Sequence, residues 1–171
     1  MRRKQVDEQF IKDCVAEALD QLMRDHSYQE IRVTDLCRRA GVGRTSFYRY
    51  FSGQDALYSA LLYKIGRTWR SFSERNAGSA EKDPDLAFLE YIYEERELFQ
   101  WLFKNQQYGA IFDIFYSTTV QDQRSETPET YHQAFLAGGI FGVLYQWAKN
   151  DFSIPPDQIY QMTRPGQTQE P

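Results

Sequence analysis

The chain has 171 residues, 42% hydrophobic and 26% charged, a balance typical of a soluble globular protein rather than a disordered or collagen-like one. With no run of 18 apolar residues and no signal-peptide pattern, the sequence predicts a cytoplasmic protein without a membrane span. The net charge of −4 excludes a uniformly basic surface, but residues 1–55 hold ten Lys and Arg against nine Asp and Glu, whereas residues 56–171 hold ten against fifteen.

The first predicted helix runs from about Val6 to Asp25 and carries a broad apolar face, which indicates that it supports neighbouring helices. A short basic arm, Met1 to Lys4, precedes it. Such an arm either reaches a phosphate or groove of DNA or is merely a frayed, solubilising end.

Two short helices joined by a glycine turn are predicted between Ile31 and Phe51. The first has an apolar stripe, Val33, Leu36, Cys37 and Ala40, at helical spacing. The turn is Gly-Val-Gly at residues 41–43, because glycine tolerates the backbone of a tight helix-to-helix connection. The second helix, residues 44–50, places Phe47 and Phe51 four apart on its inner face. Residues 31–50 contain five arginines and one acid, so this stretch is locally basic.

This stretch resembles the helix-turn-helix of the TetR family of bacterial repressors. The resemblance rests on LCRRAGV at residues 36–42 and FYRYF at residues 47–51, and it extends over roughly Phe10 to Leu62. Three positions, Arg32, Gly43 and Gln54, depart from the threonine, serine and lysine that the family favours there.

The outer residues of the motif suit DNA, because guanidinium and hydroxyl groups bind phosphates and base edges, and aromatic rings lie against the sugar-phosphate wall. Arg44, Ser46 and Arg49 are the candidates for base edges. The candidates for phosphates are Arg32, Thr34, Thr45, Tyr48, Tyr50 and Gln54, and again Arg44. Tyr48 is an alternative core residue of the head, and Arg38 and Arg39 are interpreted as solvated. The predicted DNA-binding residues are Arg32, Thr34, Arg44, Thr45, Ser46, Tyr48, Arg49, Tyr50 and Gln54.

Further helices follow the motif. Ser52 and Asp55 resemble a capping box that starts a long helix reaching Phe72. The stretch from residue 76 to Pro84 is predicted as a loop, and residues 85–104, 107–120 and 128–150 as helices, with Pro128 in the first turn of the last one. A short helix near residues 157–162 precedes a tail, 164–171, that is predicted to be disordered.

Small residues recur four apart in the last long helix, at Ala134, Gly138 and Gly142. They favour either a close helix crossing within the chain or part of a dimer interface, and the resemblance supports the second, because the TetR family usually dimerises through its final helices. The predicted interface residues are Ala134, Gly138, Phe141, Gly142 and Tyr145.

Aromatic residues at helical spacing in the body are either ordinary core or the walls of an effector pocket. The resemblance implies a regulator whose body binds a small molecule, and apolar walls favour an apolar or aromatic effector. The predicted ligand-binding residues are Trp69, Phe88, Tyr91, Phe99, Phe103, Tyr108, Phe112, Phe115 and Tyr116.

The sequence offers no pattern for catalysis, a metal or a cofactor. Its two histidines, His26 and His132, lie far apart without metal-ligand spacing, and no glycine-rich phosphate loop is present. The two cysteines, Cys14 and Cys37, occupy apolar helix positions and are expected to be free thiols. We therefore expect neither an enzyme nor a metal site.

The sequence thus predicts an all-α protein with three parts: a helix-turn-helix head at residues 1–52, a helical sensing and dimerisation bundle at 53–163, and the tail. The expected function is a ligand-responsive repressor that binds a palindromic operator as a homodimer. Gly43 and Gln54 leave an alternative open, in which the body binds a partner protein instead of a small molecule.

Overall fold

The computed structural model describes residues 2–52, 55–80, 82–120 and 124–163, and within them it confirms the all-α prediction, with no strand. A single turn of 3-10 helix spans Tyr28–Glu30. None of the helices in these ranges is long and apolar enough to cross a membrane. The α-helices are α1 (Arg2–Met23), α2 (Val33–Ala40), α3 (Arg44–Tyr50), α4 (Ala56–Arg75), α5 (Ala77–Ala80), α6 (Pro84–Glu94), α7 (Arg96–Lys104), α8 (Tyr108–Thr119), α9 (Pro128–Lys149) and α10 (Pro156–Thr163).

The chain divides into two compact units, Met1–Arg67 and Thr68–Pro171, and the division falls inside α4. We call the first unit the head and the second the body. The predicted domain boundary after residue 52 stays a prediction, and the predicted tail at 164–171 lies outside the described residues.

The core of the head forms where α1 packs against α2 and α3. Leu19 of α1, Leu36 of α2, Phe47 of α3 and Leu61 of α4 have no exposed surface. Each such side chain contributes about 1.5–3 kcal/mol through its burial. The apolar stripes therefore hold the two motif helices against α1.

A polar seam joins α1 to the first half of α4. Lys64 is buried, and its Nζ lies 2.8 Å from Asp20 Oδ1. One turn further along α4, Arg67 bridges two carboxylates of α1, with Nε 3.3 Å from Asp13 and Nη2 3.1 Å from Glu17. Because a buried lysine without a partner is costly, Asp20 fixes the position of α4 against α1.

The body has an aromatic-rich core in which α8 packs against α9 and α6 against α10. Tyr91, Phe99, Phe115 and Trp147 are almost completely buried. Pro128 stands in the first turn of α9, as predicted, and Thr127 Oγ1 caps the helix by accepting a hydrogen bond from the Thr130 amide at 3.3 Å.

Three local predictions need correction. Asp55 rather than Ser52 caps α4, since an Asp55 carboxylate oxygen accepts a hydrogen bond from the Tyr58 amide at 2.9 Å. The predicted helix over 85–104 is two helices that meet at Glu95, and the predicted loop after residue 76 contains the short α5. No glycine or proline marks the break at Glu95, and the apolar spacing continues across it, so the sequence pattern does not show it.

Candidate functional site

The turn between α2 and α3 depends on one left-handed residue. Gly41 has φ 67° and ψ 24°, and its amide donates to the carbonyl oxygens of Arg38 and Cys37. The Val42 amide donates to the Cys37 oxygen at 3.0 Å, which completes the helix end. Because side chains with a Cβ rarely adopt this backbone, Gly41 is the position where the motif requires glycine.

Two phenylalanines hold α3 in place. Phe47 has no exposed surface and Phe51 is 2% exposed, and their ring centroids are 5.1 Å apart. Tyr48 contacts the edge of Phe47 at 5.4 Å but is 47% exposed, so its ring also faces solvent. The inner face of α3 is therefore fixed, and its other residues point outward.

The predicted DNA-binding residues lie on the outer surface of α2 and α3 and at their N-terminal ends. Arg32, Thr34, Arg44, Thr45, Tyr48 and Arg49 are exposed, and Ser46 and Tyr50 are half-buried. Gln54 lies outside the described residues. The structure brings the eight described residues to one motif, and their contacts with DNA stay predictions.

The five motif arginines fall into two groups. Arg38 donates to the Asp35 carboxylate at 2.6 Å, and Arg39 donates to Gln21 Oε1 of α1 at 3.1 Å. The side chains of Arg32, Arg44 and Arg49 have no ion pair or hydrogen bond within the described part of the chain. These three guanidinium groups, which we call the unpaired arginines, are therefore available to an external anion.

The thiol beneath the motif is structural. Burial raises the pKa of Cys37, and the positive charge of Arg44 offsets part of that rise. Cys37 is 4% exposed and therefore stays a neutral, packed side chain.

Tyr28 links the 3-10 turn to the start of α4 through a hydrogen bond from its hydroxyl to the Asp55 carboxylate. Burial and the neighbouring Asp55 carboxylate, which accepts this hydrogen bond, raise the pKa of the Tyr28 hydroxyl.

The nine predicted ligand-binding residues form two aromatic clusters. In the first, Phe88 lies 5.7 Å from Trp69 and 4.9 Å from Phe115 between ring centroids. Tyr91 completes this cluster with a 2.8 Å hydrogen bond between its hydroxyl and that of Thr68. The second cluster joins α7, α8 and α9. The members of the first cluster are Trp69, Phe88, Tyr91, Phe99 and Phe115, and those of the second are Phe103, Tyr108, Phe112 and Tyr116 together with Phe141 and Tyr145.

Most of the first cluster is packed core, with Tyr91, Phe99 and Phe115 each 1% exposed. Among the nine predicted residues, Phe88 alone lines the apolar groove of about 660 Å³ that lies between α6, α9 and α10. The assignment of all nine to an effector site stays a prediction.

The predicted dimer residues share one side of α9. Gly138, Gly142 and Tyr145 are exposed, and Ala134 and Phe141 are half-buried. Within the described chain, no atom of another helix or side chain comes within 4 Å of the place where a Cβ would stand on Gly138 or Gly142. Gly138 and Gly142 therefore do not serve a close crossing inside the described chain, whereas Phe141 and Tyr145 pack against aromatic rings of α8 and α7. The use of all five residues as a dimer interface stays a prediction.

Sequence reasoning missed the seam and the groove. The seam has a detectable signal, because Asp13, Glu17 and Asp20 recur at helical spacing along one face of α1. The groove has none, since its wall combines Phe88 of α6, the side of α9 around Gly139, and Tyr160 of α10.

Comparison with protein-family models gives two matches along the chain. Residues 16–61 match the model of bacterial regulatory proteins of the tetR family, and residues 86–164 match a transcriptional regulator C-terminal region. The first match contains the whole of α2, the turn and α3, and the second covers most of the body. Together they agree with a DNA-binding helix-turn-helix head followed by a regulatory helical region. The chain belongs to the TetR family of bacterial transcriptional regulators.

Proposed function

We propose that this DNA-binding regulator is a ligand-responsive repressor that binds a palindromic operator as a homodimer. The observation that carries the DNA-binding part is the set of three exposed, unpaired arginines around a helix-turn-helix whose inner face is fixed by Phe47 and Phe51. A short helix held in this way fits the major groove of B-DNA, where arginine binds guanine or phosphate.

We assign phosphate and base contacts to these residues from their positions along α2 and α3. Arg32 and Thr34 lie at the start of α2, and Arg44 and Thr45 at the start of α3, so we assign them to phosphates on either side of the groove. Arg49 and Ser46 lie along α3 and are assigned to base edges. An arginine that binds guanine through two hydrogen bonds discriminates by about 1–3 kcal/mol.

Dimerisation is proposed through the strip of Ala134, Gly138, Phe141, Gly142 and Tyr145. Its support is the open space around Gly138 and Gly142, which permits a second helix to approach the α9 backbone. Two copies related by a twofold axis present two heads, and two heads read two inverted half-sites.

The response to a ligand is proposed for the body. A small molecule that binds the DNA-incompetent state more tightly than the DNA-bound state shifts the population and releases the operator. The apolar groove between α6, α9 and α10 supports this part of the proposal, because its size and its lining are those of small-molecule sites.

Sedimentation and fluorescence anisotropy test the assembly. The protein is titrated onto an upstream duplex that carries inverted half-sites and onto the same duplex with one half-site scrambled. We expect two chains per intact duplex and a strong loss of affinity when one half-site is scrambled. Equal affinity for both duplexes, or one chain per site, would reject the dimeric reader. A monomer in solution with a partner protein required for DNA binding would favour the alternative function.

A further inference from the structure

The groove between α6, α9 and α10 is apolar along its walls. Phe88 and Leu89 form one side, and Ile140 and Val143 form the other, while Phe135 and Leu136 stand exposed at its edge. Tyr160 closes one end and is held there by a hydrogen bond from its hydroxyl to the Asp83 carboxylate. The resulting volume of about 660 Å³ matches a drug-sized organic molecule.

The charge of the groove has one sign. Asp85 is the single ionisable carboxylate on the wall, and no lysine, arginine or histidine lines it within the described part of the chain. Asp85 is exposed and has no ion pair or hydrogen bond among the described residues. Two of the helices that line the groove, α6 and α10, contain no base and add Glu90 and Asp157, whereas Glu94 of α6 is ion-paired with Arg75 of α4.

We infer that the groove binds lipophilic cations, with an apolar body between α6 and α9 and a positive centre beside Asp85. An apolar wall gives affinity to any lipophilic molecule, whereas the lone carboxylate selects the sign of its charge. Phe88 and Phe135 add aromatic faces that also attract a cation. The inference names the ligand class for the proposed function and rests on that function only for its effect on DNA.

Two ions of nearly equal shape and opposite charge test whether the groove prefers a positive ligand. Tetraphenylphosphonium and tetraphenylborate are titrated into the full chain without DNA by isothermal calorimetry. We expect the phosphonium to bind and the borate to bind more weakly or not at all. Equal binding of both ions, tighter binding of the borate, or no binding of the phosphonium overturns the inference.

Two variants locate the site. Asp85→Asn should weaken phosphonium binding about fivefold, the effect of one charge pair near 4 Å in largely aqueous surroundings, and should strengthen borate binding, because the repulsive carboxylate is removed. Gly139→Leu should abolish binding, because open space at this position lets the new side chain fill the groove without displacing an atom of another helix. Phe10→Ala, which removes an exposed aromatic ring of the head, is the control and should leave phosphonium binding unchanged. Phosphonium binding that is unaffected by both Asp85→Asn and Gly139→Leu would place the cation elsewhere and overturn the inference.

A separate titration distinguishes this inference from the proposed function. Phosphonium is added to the preformed complex of protein and operator. Release of DNA by the wild type but not by Gly139→Leu supports both. Binding that depends on Asp85 but leaves DNA affinity unchanged supports the cation site and rejects the ligand response.

Discussion

The head and the body differ in how their chemistry is distributed along the chain. The surface of the head that we propose binds DNA comes from α2, the turn and α3, which together span fewer than twenty consecutive residues. The groove of the body combines residues of four helices, α6, α8, α9 and α10, that lie between residues 84 and 163. The charges also differ, because the head exposes unpaired arginines and the groove exposes only a carboxylate. A contiguous surface can be predicted from a motif, whereas an assembled surface requires the fold.

Loss of the inner face of α3 should have the largest effect on the head. Phe47→Ala removes a fully buried ring and should lower the free energy of unfolding of the head by about 3–5 kcal/mol, with loss of DNA binding. The matched change in the body, Phe115→Ala, should cost a similar amount but leave the helix-turn-helix intact.

Thermal and urea unfolding followed by circular dichroism measure both changes, and anisotropy measures DNA binding. Should Phe47→Ala bind the operator like the wild type, the claim that Phe47 holds the reading surface would be wrong. Tyr48→Ala is the exposed control in the same helix and should cost far less stability.

The next effect concerns base reading by Arg49. Arg49→Ala should weaken operator binding by about 1–3 kcal/mol, because a base contact through two hydrogen bonds is lost, and should change binding to random DNA much less. Competition between the two duplexes at one salt concentration measures the ratio. Equal losses on both duplexes would assign Arg49 to a phosphate.

A smaller effect is expected at the seam between α1 and α4. Burial raises the pKa of Asp20, but the hydrogen bond and charge of Lys64, helped by Arg24, outweigh it and hold that pKa below its usual value of 3.8. The carboxylate therefore stabilises the folded head above this pH, and its contribution is lost as the pH falls through the lowered pKa.

Asp20→Asn should lower stability by about 1 kcal/mol at neutral pH, a modest amount because Asp20 is half exposed and the asparagine oxygen can still accept a hydrogen bond from Lys64. The difference from the wild type should shrink as the pH falls below 4, which urea unfolding over a pH series measures. A difference that stays constant down to pH 2 would show that the ion pair with Lys64 does not stabilise the head. Arg24→Ala, which removes the weaker partner at 3.6 Å, is the control.

The smallest effect is at the start of α3. Gly43 caps this helix with an extended backbone and no side-chain hydrogen bond, and open space surrounds the position of a Cβ. Gly43→Ser should add a cap and raise stability by a few tenths of a kcal/mol. A melting temperature below that of the wild type would contradict the open geometry of this cap.

The sequence predicts the helix-turn-helix well because each of its determinants is local. The stripe of Leu36 and Cys37, the left-handed Gly41 and the pair Phe47 and Phe51 act within a few residues of one another. The sequence does not predict which arginine side chains have partners within the chain, since the partner of Arg39 is Gln21 of another helix.

Local sequence signals are ambiguous where two neighbouring residues can both cap the same helix. Ser52 and Asp55 can both cap α4, and the structure uses Asp55, whose carboxylate also accepts the Tyr28 hydroxyl at 3.1 Å. Long-range packing decides the rest: aromatic spacing along the body is the same for core residues such as Tyr91 and for groove residues such as Phe88, so periodicity does not separate them.

We propose that the unpaired arginines bind DNA and that Arg38 and Arg39, which have partners within the chain, do not. The most direct measurement compares two double variants of equal charge, Arg32→Ala with Arg44→Ala and Arg38→Ala with Arg39→Ala, by anisotropy over a range of salt concentrations. Each phosphate contact contributes about 0.9 to the slope of log affinity against log salt, so the first double variant should lower the slope by roughly two. The second should leave it close to the wild type. Equal slopes for the two double variants, or a larger loss in the second, would contradict the account.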